Sequence, residues 1–82
     1  MFWVYVLRSL KDGKHYTGYS KDLDRRIKEH NAGETESTRR RRPFILVHSE
    51  GYEDEESAKE REKYLKSGRG REELRRIVGE MK

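Results

Sequence analysis

At 82 residues with one proline and no cysteine, the chain has room for a single domain over residues 1–82 with a thin core, because chains this short bury only about 60% of their unfolded surface; disulfides and thiolate metal sites are excluded. Charged residues make up 44% and hydrophobic ones 30%, with a net charge of +4; that balance alone leans toward disorder, but the apolar residues are clustered and periodic, so a folded domain with a charged shell is expected. No apolar run approaches the ~20 residues of a membrane span, and residues 2–7 are too short and lack the basic flank of a signal peptide, which leaves a cytoplasmic protein as the expectation.

Residues 2–7, Phe-Trp-Val-Tyr-Val-Leu, are apolar at every position and rich in β-branched and aromatic types, as in a central strand covered on both faces. Asp12-Gly13 is a strong hairpin signal, since both turn residues tolerate positive φ, and residues 15–20 return antiparallel. Ser20 or Asp22 can cap a helix that runs to about Asn31 and ends at Ala32-Gly33. A polar loop over residues 35–42 carries the run Arg39, Arg40, Arg41, Arg42, which reads as a solvated loop or as a phosphate-contacting one. Residues 44–47 read as a third strand. The acidic run at residues 53–56 suits a helix start, with Asp54 as cap. A second helix follows over residues 58–66, stopping near Gly68 and Gly70. A third covers residues 71–81, where Leu74, Ile77, Val78 and Met81 supply an ordinary packing face.

Three polar groups share apolar stripes. At ~100° per residue, Leu23, Arg26, Ile27 and His30 fall within an arc of about 100°, and Glu62 falls between Ala58 and Leu65. Desolvating a charge is costly unless something pairs with it. Either Arg26 and Glu62 form a structural ion pair, or a ligand and metal complete a site. Tyr5 reads first as a core aromatic, whereas Tyr16 stands two residues before Gly18, and a strand glycine often marks a close approach. A tight turn at Asp12-Gly13 puts Tyr5 and Tyr16 on one face but about 13 Å apart; another register brings them closer, and the loop sequence does not choose.

Taken together, the pattern resembles the GIY-YIG endonuclease superfamily. Trp3-Val4-Tyr5 stands at the first signature triplet, with tryptophan in place of glycine, and Tyr16-Thr17-Gly18 at the second; Arg26 follows ten residues after Tyr16, then His30 and Glu62. The stretch through Lys66, with Asp12-Gly13-Lys14 and Glu29-His30-Asn31, is similar to compact bacterial and archaeal single-domain members. The resemblance implies an α+β fold, a three-stranded antiparallel sheet flanked by three helices. It also implies DNA cleavage with a single magnesium or manganese ion. Glu62 would be the sole protein metal ligand, Tyr16 the proton acceptor for the attacking water and Arg26 the scissile-phosphate ligand, with Tyr5 and His30 supporting by hydrogen bonds. A tyrosine is a poor base until a neighbouring cation or metal favours its phenolate. Tyr19 stands where larger members carry lysine, a charge that Arg39 to Arg42 are expected to supply. With no added DNA-binding domain, recognition should be weak or structure-directed, toward branched or single-stranded DNA. A binding module that kept the fold without catalysis is the alternative, and a charge-rich interaction protein with a structural Arg26–Glu62 pair is a third reading.

Overall fold

The computed structural model describes residues 1–79. Strand β1 (Phe2–Ser9) lies between β2 (His15–Ser20) and β3 (Phe44–Tyr52), and both pairings are antiparallel. Helix α1 (Leu23–Ala32) follows β2, and α2 (Glu55–Lys66) and α3 (Gly68–Ile77) follow β3. The apolar residues 2–7 of β1 are covered on both faces, as their sequence requires. Val4 and Val6 pack against Ala58, Leu65 and Leu74 of α2 and α3, whereas Tyr5 and Leu7 pack with Phe44, Tyr16, Leu23 and Ile27 on the α1 face. The alternation of side chains along a strand thus divides the domain into two half-cores.

Ser9 decides the register of the hairpin. Its hydroxyl accepts from the amides of Lys11 and Asp12 and donates to the Arg41 carbonyl, so the chain makes a wide loop, not a two-residue turn. Gly13, at φ 74, closes it onto the Ser9 carbonyl. Leu7 consequently pairs with Tyr16, and Tyr5 with Gly18. The two tyrosines are offset by two residues, roughly 7 Å at ~3.3 Å per residue, instead of the 13 Å of the tight turn.

Helix α1 is capped as expected: the Asp22 carboxylate accepts from Arg25 N, and Gly33 adopts the left-handed conformation at its end. Helix α2 starts earlier than residue 58, because Asp54 caps it and Glu55 and Glu56 occupy its first turn. Gly68 and Gly70, read from sequence as its stop, instead open α3. Ser67 ends α2 and caps α3 through Gly70 N. Gly70 is required by packing, since a Cβ there would stand 1.8 Å from the Tyr64 carbonyl oxygen. Helix α3 ends at Ile77, short of the expected residue 81; Val78 caps it and Gly79 turns to φ 72. Met81 lies outside the described residues.

The third strand is more than twice the expected length. Its polar second half stays in the sheet because its side chains partner one another and the helices. Glu50 accepts from Tyr52 Oη at 2.7 Å and from the Arg61 Nε and Nη2 at 2.9 and 3.2 Å, and lies 2.7 Å from His48 Nε2. Arg61 also reaches Glu73 of α3 at 2.9 Å. One charged cluster thereby fastens β3, α2 and α3 together.

Candidate active site

The α1 face of the hairpin gathers Tyr5, Tyr16, Arg26 and His30. The Tyr5 ring lies across Gly18 of the neighbouring strand, so closely that a Cβ there would be 2.6 Å from the Tyr5 hydroxyl and 3.4 Å from Tyr16 Cε2. Glycine in the second triplet therefore makes room for the tyrosine of the first. Tyr16 packs edge-on against His30, with ring centroids 5.0 Å apart.

Hydrogen bonds through the buried His30 fix which atoms donate. Thr38 Oγ1 donates to the Thr35 carbonyl at 3.4 Å and stands 2.8 Å from His30 Nδ1, so Nδ1 carries the proton and Thr38 accepts it. His30 Nε2 is then the acceptor for the Tyr5 hydroxyl, 3.0 Å away. The Arg26 guanidinium also acts on that hydroxyl, favouring its ionised form. Burial, and then the charge of Arg26, push the His30 pKa down, so the neutral imidazole that this network requires is favoured. Burial raises the Tyr5 pKa despite the hydrogen bond from Arg26, so Tyr5 remains a phenol and is no proton acceptor. These two residues orient others. Tyr16 is the second tyrosine of this face.

Arg26 is pinned by Glu29 as well, Nη1 to Oε1 at 3.1 Å, and its side chain is 39% exposed. Its Nε is buried without a hydrogen-bond partner. A hollow of about 230 Å³, bounded by Ser20, Lys21, Arg25 and Arg26 together with the carboxylates Asp22 and Glu29, opens beside it. A guanidinium oriented through Nη1 and partly exposed suits an anion with several acceptor oxygens.

Glu62 is on α2, across the sheet from α1, so the helical phases that turn it and Arg26 toward the sheet do not make them neighbours on one face. The Arg26–Glu62 ion pair, the structural alternative to a site, is not formed: Arg26 pairs with Glu29, and Glu62 with Lys66 at 2.9 Å. The Glu62 charge is nonetheless felt by the phenols of Tyr5 and Tyr19, both of which it raises after larger contributions from burial and, for Tyr19, from Glu55. Among the described residues no three His, Asp or Glu side chains cluster as a metal cage. Glu62 offers one hard carboxylate, one-fifth exposed, whose partner is a half-exposed lysine on the same helix. That donor fits magnesium, which keeps most of its shell as water and takes few protein oxygens.

The arginine run divides. Arg39–Arg41 form a 3₁₀ turn, not an irregular loop. Arg41 pairs with Asp12 at 3.1 Å and lies over the Phe44 ring. Arg42 donates to the Arg39 carbonyl and covers Gly33. Both have structural employment, whereas the Arg39 and Arg40 side chains are exposed to solvent. Sequence reasoning passed over Thr38 and Glu29 as supports of the site. Glu29 follows Arg26 at i+3 on one helix, a signal that was present; Thr38, in a polar loop, had none.

The profile of the GIY-YIG catalytic domain matches residues 1–75. The chain belongs to the GIY-YIG family. Within it, the chain is 43% identical to a UPF0213 protein of Halobacterium salinarum, over 80% of this chain and 86% of that protein. It is 40% identical to a UPF0213 protein of Staphylococcus aureus, over 92% of each. The solution NMR structure of a UPF0213 protein from Bacillus halodurans, 42% identical, superposes with a TM-score of 0.58 and covers 98% of this chain and 88% of that one. This GIY-YIG domain therefore has the expected α+β fold of three antiparallel strands and three helices. No helix among its described residues is long and apolar enough to cross a membrane.

Gly18 offers a test of the close approach. Gly18→Ala should drive the Tyr5 ring from its place, break its contacts with His30 and Arg26, and cost about 1–3 kcal/mol in urea denaturation. Unchanged stability would show that the Tyr5 ring can lie elsewhere.

Proposed function

We propose that the protein is a metal-dependent endonuclease that hydrolyses phosphodiester bonds in DNA, with weak or structure-directed recognition, in DNA repair or processing. The observation that carries this reading is Arg26, held by Glu29 beside an open hollow, on the face that bears Tyr16. In this site Arg26 binds the scissile phosphate and opposes the negative charge that grows on it. Tyr16 accepts the proton of the attacking water. Tyr5 keeps its own proton, gives a hydrogen bond to neutral His30, and holds the guanidinium in line. Glu62 would hold a magnesium or manganese ion, which would supply positive charge to offset that of the phosphate backbone. Metal-dependent nicking of supercoiled, branched and single-stranded DNA, run beside Tyr16→Phe and Glu62→Ala, tests the assignment. Binding without nicking by the wild-type chain would establish instead a nucleic-acid-binding module.

The exposed arginines yield a separate expectation. Arg39→Ser with Arg40→Ser should flatten the salt dependence of single-stranded DNA binding by about 1.4 in log–log slope, two phosphate contacts at ~0.7 each. Arg41→Ser should act mainly on stability, because its guanidinium is tied to Asp12 and Phe44. Equal slopes for the wild type and the double variant would remove Arg39 and Arg40 from the interface.

A further inference from the structure

We propose that a cleft between the β1–β2 turn and the α2–α3 corner is a second phosphate-binding site, which takes the backbone of a nucleic-acid strand continuing from the candidate active site; it rests on the nuclease reading for that continuity alone. The cleft, of about 560 Å³, is walled by Lys14 and His15 from the turn and by Lys66, Arg71 and Arg75 from the helices, and no carboxylate of the described residues lines it. The chain has 16 acidic residues, and cations elsewhere, such as Arg25, Arg26, Arg41 and Arg61, are each paired with one. The side-chain cations of Lys14, Arg71 and Arg75, brought together from opposite ends of the sequence, form no ion pair among the described residues. Like charges around one concavity repel until an anion enters, and a concave wall of one sign concentrates anions.

Buried Leu65 and Leu74 also line the cleft, so part of its wall is apolar. That surface lowers the local dielectric and strengthens attraction to a phosphate. Lys66 joins the two sites, since it lines the cleft and lies 2.9 Å from the Glu62 carboxylate. Thr17 lines the cleft as well, and it stands between Tyr16 and Gly18 on β2, a sheet edge. A strand bound at both places passes around that edge. This continuity favours a polynucleotide over a free phosphate or mononucleotide, which would satisfy the same cations.

The test measures binding of a fluorescein-labelled single-stranded oligonucleotide to the full chain in EDTA across a salt series. Arg71→Ala with Arg75→Ala should weaken binding about tenfold near 0.1 M salt and lower the log–log slope by about 1.4. Lys14→Ala, from the other wall, should lower the slope by about 0.7. All three side chains are exposed, and an unchanged urea midpoint will verify that the fold persists. Slopes equal to the wild type's overturn the strand site, as does a wild-type chain that binds no oligonucleotide at low salt. Inorganic phosphate and a mononucleotide, titrated against the amide signals of Gly13 and Thr17, separate the sources. Saturable shifts with these probes, without any effect of the variants on the oligonucleotide, would assign the cleft to free phosphate and overturn the strand. No shift with either probe, together with unchanged slopes, overturns the site altogether. Because binding is read without metal, a chain that binds through the cleft but nicks nothing sinks only the nuclease reading, and one that nicks with unchanged slopes sinks only the cleft.

Discussion

Tyr16→Phe and Glu62→Ala are each expected to lower metal-dependent nicking by about 100-fold or more while leaving oligonucleotide binding in EDTA within about threefold of the wild type. A positioned proton acceptor contributes ~10²–10⁴ in rate, and removal of the phenolic oxygen of Tyr16 deletes it while keeping the ring that packs on His30. Glu62→Ala removes the one carboxylate proposed to hold the ion. The stability of that variant separates a site from a structural pair. An Arg26–Glu62 pair would leave a stranded arginine and a loss of ~3–5 kcal/mol. The carboxylate's partner is instead Lys66, half-exposed and one helical turn away, and such pairs are worth only ~0.5 kcal/mol. Glu62→Ala should therefore cost less than about 1 kcal/mol. Nicking that survives both substitutions would trace to another site or a contaminant, and severe unfolding of Glu62→Ala would return Glu62 to a structural role.

What the sequence discloses about this domain follows from which signals are local. The β1 run is apolar throughout, and the only sheet position that rewards this is the middle, so its place was legible. Asp22 and Gly33 marked the ends of α1 because capping acts within one turn. The hairpin register was not legible, since it depends on Ser9 choosing two amides and a carbonyl thirty-two residues away. The second half of β3 was missed because its polar residues break the apolar alternation, and their partners come from α2 and α3. Within the candidate site, helical phase picked out Arg26, His30 and Glu62 as residues turned toward the sheet. Phase is blind to which face of the sheet a helix covers, so it could not reveal that Glu62 arrives from the opposite layer. The pairing of Tyr5 with Gly18 likewise became visible only with the register, although both residues stood in the signature triplets.

Glu50→Gln is expected to destabilise the domain by about 3 kcal/mol at neutral pH and to flatten its acid unfolding. Burial pushes the Glu50 carboxyl upward, but hydrogen bonds from Arg61, His48 and Tyr52 outweigh it and hold the pKa at about 2, against an ordinary 4.5. Since the folded value is depressed, the associated stability is fully present above about pH 4.5 and is lost as pH falls toward 2. The displacement amounts to roughly 3 kcal/mol at ~1.4 kcal/mol per unit. Glutamine keeps the shape but neither the charge nor the paired acceptor oxygens, and it leaves Arg61 with Glu73 as its carboxylate partner. Urea midpoints measured from pH 2 to 7 should show a steep wild-type loss below pH 4.5 and a shallower one for the variant, where only more exposed carboxylates such as Glu29 and Glu73, also held low by arginine, still titrate. Parallel curves would mean that the cluster contributes nothing through ionisation. The consequence extends to function because Arg61 immediately precedes Glu62 on α2. The cluster that fixes β3 to α2 and α3 also fixes how α2 presents the carboxylate, so Glu50→Gln should lower nicking at pH 7 even though Glu50 is no part of the site.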